Sequence, residues 1–191
     1  PNLAQVKSDH ESRELFHPGP NRVQVGADAS GLELRCLAHY LARYDGGAFA
    51  KEVVEGDIHS YMAAISKVDR ETQKSVTYCL IYGGGSFKLG LTAGATKARA
   101  VSRGKELRKK LLTGIKGFQE LNDAIQARAQ HGVIKALDGR PIRLQGKNHA
   151  ALNYLLQSCG AILCKSWLIR SNELLQGNKI DYWPLAFIHD E

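Results

Sequence analysis

No run of apolar residues in this 191-residue chain is long enough to cross a membrane, and its opening, PNLAQVKSDH, has no signal-peptide design. A soluble, cytoplasmic protein without a membrane partner is therefore the expectation. Cysteine is sparse: Cys36, Cys79, Cys159 and Cys164 show neither CxxC spacing nor histidines arranged beside them as a zinc site. Reduced, partly buried thiols follow from that pattern. Acidic residues thin out where basic ones crowd, since Lys97, Arg99, Arg103, Lys105, Arg108, Lys109 and Lys110 meet only Glu106. Such a run faces phosphate or solvent. The chain also stops at Ile188-His189-Asp190-Glu191 with no turn, cap or polar tail after a strand-like run, so it reads as a fragment cut through a functional element.

What is present is an ordinary globular composition, 43% hydrophobic and 24% charged, able to bury a core in one sizeable domain or two small ones. The net charge of +7 favours a polyanionic partner without identifying it.

The stretch 66–85, SKVDRETQKSVTYCLIYGGG, carries the most specific pattern. Arg70, Lys74, Tyr78 and Tyr82 recur every fourth residue, so a helix stacks them on one face, with Val76, Leu80 and Ile81 on the other for burial. Ser66 and Asp69 have the spacing of a capping box, Asp69 and Glu71 complement the positive helix start, and Gly83-Gly84-Gly85 ends the helix. Basic residues at helical spacing usually just point at water. Two tyrosines on the same stripe, followed by three glycines, turn the balance towards a grip on a nucleoside triphosphate: cations for the phosphates, a ring for base or sugar. The pattern RxxxKxxxYxxxYG resembles the fingers-helix motif of the polymerase-I-like (family A) DNA polymerases.

Other segments extend the resemblance in the same order. The alternation in RVQVGAD (22–28) predicts a strand ending at Asp28, and Ser30 opens a predicted helix with Leu34, Leu37 and Leu41 at core spacing. Taken alone, Asp28 is a turn residue and Glu33 the fourth position of a second capping box. DASGLELR, however, resembles the family's first catalytic motif in its phage-branch form, which implies Asp28 and the Ala29 carbonyl as metal ligands and Glu33 beneath the incoming sugar. DIH (57–59) resembles the element whose histidine, here His59, reaches the triphosphate. PNLAQV resembles the approach to the palm, implying Asn2 and Gln5 as DNA contacts. HAALNYLLQSCGAILCKSW resembles the helix beside the primer–template duplex, where Asn153 and Gln157 would read minor-groove acceptors. IHDE resembles the second catalytic motif, giving Asp190 as the second metal ligand, Glu191 as an outer carboxylate and His189 as a DNA contact.

Between these motifs, helical stretches separated by Gly90 and Gly94 are expected, then helices over 97–112 and 115–130. A hairpin at Asp138-Gly139 joins 133–137 to 142–144, and a long helix over 149–175 offers Leu152, Leu155, Leu156, Ile162, Leu163, Trp167 and Leu168 as an apolar face. Strand character returns over 181–188. The fold class implied is α+β: a right-hand polymerase palm with an incomplete antiparallel sheet and a mostly helical fingers subdomain. Palm would comprise 1–57, fingers 58–132, and the hairpin, duplex-side helix and truncated second motif 133–191.

The function implied is template-directed DNA synthesis from a primer 3′-hydroxyl, with two Mg2+ ions as cofactors and primer–template DNA and dNTPs as partners. Asp28, Asp190 and Lys74 would be catalytic. Arg70, Lys74 and His59 would hold the phosphates, Tyr78 would pack on the sugar, and Tyr82 would lie by the template base with Gly83 leaving room. In the family, Tyr rather than Phe at position 78 accompanies ready use of dideoxynucleotides. Two alternatives stand beside this: a single-subunit phage-type RNA polymerase, and a non-catalytic polymerase-derived DNA-binding module.

Overall fold

A computed structural model describes residues 9–187, so Asn2, Gln5, His189, Asp190 and Glu191 lie outside the described residues. The chain divides into two compact units, Glu33–Gly160 and a second made of Pro1–Leu32 with Ala161–Glu191.

The first unit is a helical stack with one small hairpin. Its helices are α2 (Leu32–Asp45, after a short α1, His10–Glu14, in the other unit), α3 (Ala48–Glu55), α4 (Ile58–Ser66), α5 (Arg70–Ile81), α6 (Ser86–Thr92), α7 (Lys97–Gly114) and α8 (Phe118–Ala129). The antiparallel hairpin pairs β1 (Val133–Lys135) with β2 (Pro141–Arg143) in the register Ile134 to Ile142, and α9 (Ala151–Gly177) follows. Apolar side chains at three- and four-residue steps build the core: Leu34, Leu37 and Leu41 of α2, Val76, Leu80 and Ile81 of α5, and Phe118, Leu121, Ile125 and Ala129 of α8 are all buried. Asp45 ends α2 and starts α3 together, its carboxylate accepting the amides of Gly47 and Phe49 at 2.7 Å each.

Several sequence expectations are corrected. Ser66 caps nothing: it is the last residue of α4, wholly buried, and its hydroxyl donates to Gln73 Oε1 at 2.5 Å. The fingers-motif helix therefore begins at Arg70, with Asp69 as its N-cap accepting the Thr72 amide at 2.9 Å. Gly90 does not separate helices but sits inside α6 facing α7. A Cβ built there would stand 1.9 Å from the Ala100 carbonyl oxygen, and one on Gly104 of α7 would stand 1.8 Å from that of Ser86. Each glycine faces the backbone of the other helix, which lets α6 and α7 pack closely.

In the second unit, residues 22–28 form no strand, and Val23 and Val25 are 86% and 85% exposed. Residues 181–187 form none either. A strand exists only when a neighbour pairs its backbone groups, and no such neighbour occurs for these segments among the described residues. The apolar face expected of α9 is buried at Leu155 and Leu156 but exposed at Leu163, Trp167 and Leu168.

Candidate active site

The candidate site grows from the junction of α4 and α5. Asp57 is the N-cap of α4: its Oδ1 accepts the amides of His59 (3.1 Å) and Ser60 (3.3 Å), which fixes His59 in the first turn. Across the junction, Arg70, Lys74 and Tyr78 rise along α5 at four-residue intervals, and Tyr82 is its C-cap rather than part of its body. The rings of Tyr78 and Tyr82 stack at 6.1 Å with 22° between planes, and the imidazole of His59 lies 6.3 Å from Tyr78. The structure thus brings His59, Arg70, Lys74, Tyr78 and Tyr82 together on one face.

Charge is distributed unevenly over that face. The guanidinium of Arg70 donates through Nε to Asp57 Oδ2 and through Nη1 to Glu71 Oε1, both at 2.7 Å. The hydrogen bond from Arg70, then that from Ser60, holds the Asp57 carboxyl well below the usual carboxylate range. Burial, then the positive charge of Arg70, pushes His59 below its ordinary value, so the ring favours the neutral form. Its Nδ1 is buried with no hydrogen-bond partner among the described residues. Lys74 is exposed and has no ion-pair partner among them.

At the far end of α5 the chain turns through a Schellman motif. Gly83, at φ 75°, donates to Leu80 and Gly84 to the Cys79 carbonyl at 2.8 Å. A Cβ on Gly84 would stand 2.5 Å from Cys79 Sγ, so only glycine closes this turn without a shift. Arg108 of α7 reaches across to donate to the Gly84 carbonyl. Tyr82 donates its hydroxyl to Glu33 Oε1 at 2.6 Å; burial, then this bond, raises its phenol above the ordinary value. Glu33 therefore serves Tyr82, while Ser30 lies two positions before the first helical residue, Leu32. Below the turn, Gly83, Gly85, Arg108, Asn122, His149 and Asn153 contribute to the walls of a cleft of about 260 Å³. Asn153 Oδ1 is buried there with no hydrogen-bond partner among the described residues, and Gln157, one turn on, is exposed.

Asp28 is exposed at the end of an extended stretch in the other unit, with Ala29 half-buried beside it. Its carboxylate and the adjacent carbonyl are hard oxygen donors of the kind magnesium takes. Among the described residues no three His, Cys, Asp or Glu side chains cluster as a metal site. Two site residues escaped the sequence reading. Asp57 is one, although Asp57-x-x-Ser60 before an apolar run has the form of a cap. Arg108, lost in a basic run, is the other: burial pulls it below the ordinary guanidinium value, and no local pattern separates it from its neighbours.

The model of DNA polymerase family A matches residues 1–191. The DNA-directed DNA polymerases of Enterobacteria phage T3 and Escherichia phage T7 are each 40% identical to the chain over 226 residues, covering 100% of it and 31% of their own length. The chain thus spans about a third of these curated relatives. A solved structure, the POL domain of Pol1 from M. smegmatis in complex with DNA primer-template and dNTP, superposes with a TM-score of 0.76 at 22% identity, covering 100% of the chain and 37% of that one. That likeness shows the fold, right down to the mostly helical architecture. With the family's model spanning every residue from the Asp28 turn through the tyrosine-bearing helix to the end, the chain belongs to DNA polymerase family A.

Proposed function

We propose that this chain is the palm-and-fingers part of a template-directed DNA polymerase, and that α5 with His59 is its grip on the incoming dNTP. The observation that carries the reading is the single face on which Arg70, Lys74, His59 and the stacked Tyr78 and Tyr82 converge. Arg70 and Lys74 engage the β- and γ-phosphates, and a neutral His59 adds a hydrogen bond rather than charge. Tyr78 packs against the sugar. Glu33, held by the Tyr82 hydroxyl, fills the space beneath the sugar and excludes a 2′-hydroxyl, which favours dNTPs over NTPs. Tyr82 and Gly83 border the template base. Lys74 donates a proton to the departing pyrophosphate.

Asp28 and Asp190, with the Ala29 carbonyl, would hold two Mg2+ ions. When bound, magnesium supplies Lewis-acid activation of the primer 3′-hydroxyl and charge neutralisation on the leaving group. Asn2, Gln5, Asn153, Gln157 and His189 meet the primer–template duplex, and Glu191 lies outside the metal shell. In this reading 1–57 and 133–191 belong to the palm side and 58–132 to the fingers, and the protein works in the cytoplasm, that of the host if phage-encoded.

The test is primer extension by the polymerase carrying this segment. Magnesium-dependent dNTP incorporation is expected, with Asp28→Asn abolishing extension while duplex binding persists. Incorporation of NTPs in preference to dNTPs, or duplex binding with no extension by the wild type, would overturn the reading.

A further inference from the structure

Arg70, the first cation of the grip, is already occupied. Asp57 Oδ2 accepts from Nε and Glu71 Oε1 from Nη1, so a carboxylate sits at each end of the guanidinium fork. The two acids are not equivalent. Glu71 is a neighbour in sequence with a side chain 77% exposed. Asp57 is anchored: two amides of α4 hold its Oδ1, and Ser60 Oγ donates to its Oδ2 at 2.8 Å. Its position is set by the cap, thirteen residues from Arg70 in sequence.

We propose that Asp57 is an internal anion that holds Arg70 in the nucleotide-free protein and must be displaced by the triphosphate. The inference rests on the reading of Arg70 as a phosphate ligand. Both partners of the pair are about half exposed, 49% and 44%, so water reaches it and the pair exchanges readily. A triphosphate brings several negative charges and also engages Lys74, so it wins the competition while giving up part of its binding energy to break the pair. Asp57 is thus a positioning residue. It keeps Arg70 neutralised between turnovers, lowers nucleotide affinity, and recaptures the guanidinium when pyrophosphate leaves.

Calorimetric titration of the 191-residue chain with inorganic tripolyphosphate at low ionic strength tests this without requiring catalysis. Asp57→Asn and Asp57→Ser both keep a capping side chain but cannot accept from the guanidinium as a carboxylate does. Each should bind tripolyphosphate about two- to fivefold more tightly, the range expected for release of an exposed pair. Asp69→Asn, an equal change of charge at a residue that bonds Thr72 rather than Arg70, should change affinity less. On an Arg70→Ala background Asp57→Asn should have no effect. Unchanged affinity in both Asp57 variants, with weakened binding in Arg70→Ala and Lys74→Ala, would overturn the inference and leave the grip standing. A gain that persists without Arg70 would also overturn it, as a general field effect. Wild-type affinity in Arg70→Ala and Lys74→Ala would remove the grip itself, and the inference with it.

Discussion

His59 is the residue at which burial and charge act most clearly together. Burial and the cation of Arg70 both favour the neutral ring, while Asp57 favours the charged one and is outweighed. The folded protein therefore binds a proton on His59 less readily than the unfolded chain. Its contribution to stability is complete above the unfolded value of 6.5 and is lost as pH falls from there through the lower folded value. An NMR titration of the His59 ring carbons should give a midpoint below 6.5, moved up by Arg70→Ala and further down by Asp57→Asn. A midpoint at or above 6.5 in the wild type would contradict this. A second expectation concerns Tyr78. If its hydroxyl replaces the contact that a dideoxynucleotide lacks, Tyr78→Phe should restore discrimination against dideoxynucleotides in primer extension by the polymerase carrying this segment. Equal use by both forms would count against that role.

Among the elements, α4 and α5 are tied by a buried polar chain. Ser66 donates to Gln73, Gln73 Nε2 donates to Thr77 Oγ1 at 2.8 Å, and Thr77 contacts Met62 Sδ at 3.7 Å, with Ser66, Gln73 and Thr77 all at 0% exposure. Ser66→Ala should leave Gln73 Oε1 buried without a donor and cost about 1–3 kcal/mol in urea unfolding. Gly90→Ala and Gly104→Ala should be worse than neutral despite the roughly 0.5–1 kcal/mol that alanine usually gains over glycine inside a helix. Each new methyl meets backbone at under 2 Å, so the α6–α7 pair must separate, a loss of about 1–3 kcal/mol measurable in the same experiment. These elements also show what a sequence can carry. The α2, α5 and α8 faces were legible because a 3.6-residue apolar period is a local signal, and Gly83-Gly84 announced a helix end because a left-handed residue there favours glycine. The role of Ser66 was not, because its spacing to Asp69 suits a cap and only tertiary burial makes it a core hydrogen-bonder. The Asp57–Arg70 pair was illegible because it joins the starts of two helices, with the whole of α4 between them, and no periodicity links those positions.

At the scale of the whole chain, the two units are built unequally. Every buried apolar side chain among the described residues belongs to Glu33–Gly160 except Cys164. The other unit instead exposes Leu168, Ile169, Leu185 and both tryptophans of the chain, Trp167 at 39% and Trp183 at 71%. Its described contacts include the polar pair Arg22 to Asp181 at 3.0 Å, with the guanidinium 5.4 Å over the Trp183 ring. An exposed pair of this kind contributes about 0–1 kcal/mol, far less than a packed helix face. The same imbalance explains the missing strands at 22–28 and 181–187: alternation marks which side chains would face a core, but a ladder needs a partner strand, and none is present among the described residues. Unfolding of the 191-residue chain should therefore not be two-state. Tryptophan fluorescence, which reports only on the weakly packed unit, should change at lower urea than far-UV circular dichroism, which follows the helices that make up most of Glu33–Gly160. Coincident transitions would mean that the two units unfold together, and that the exposed apolar face of α9 is stabilised by more than the contacts described.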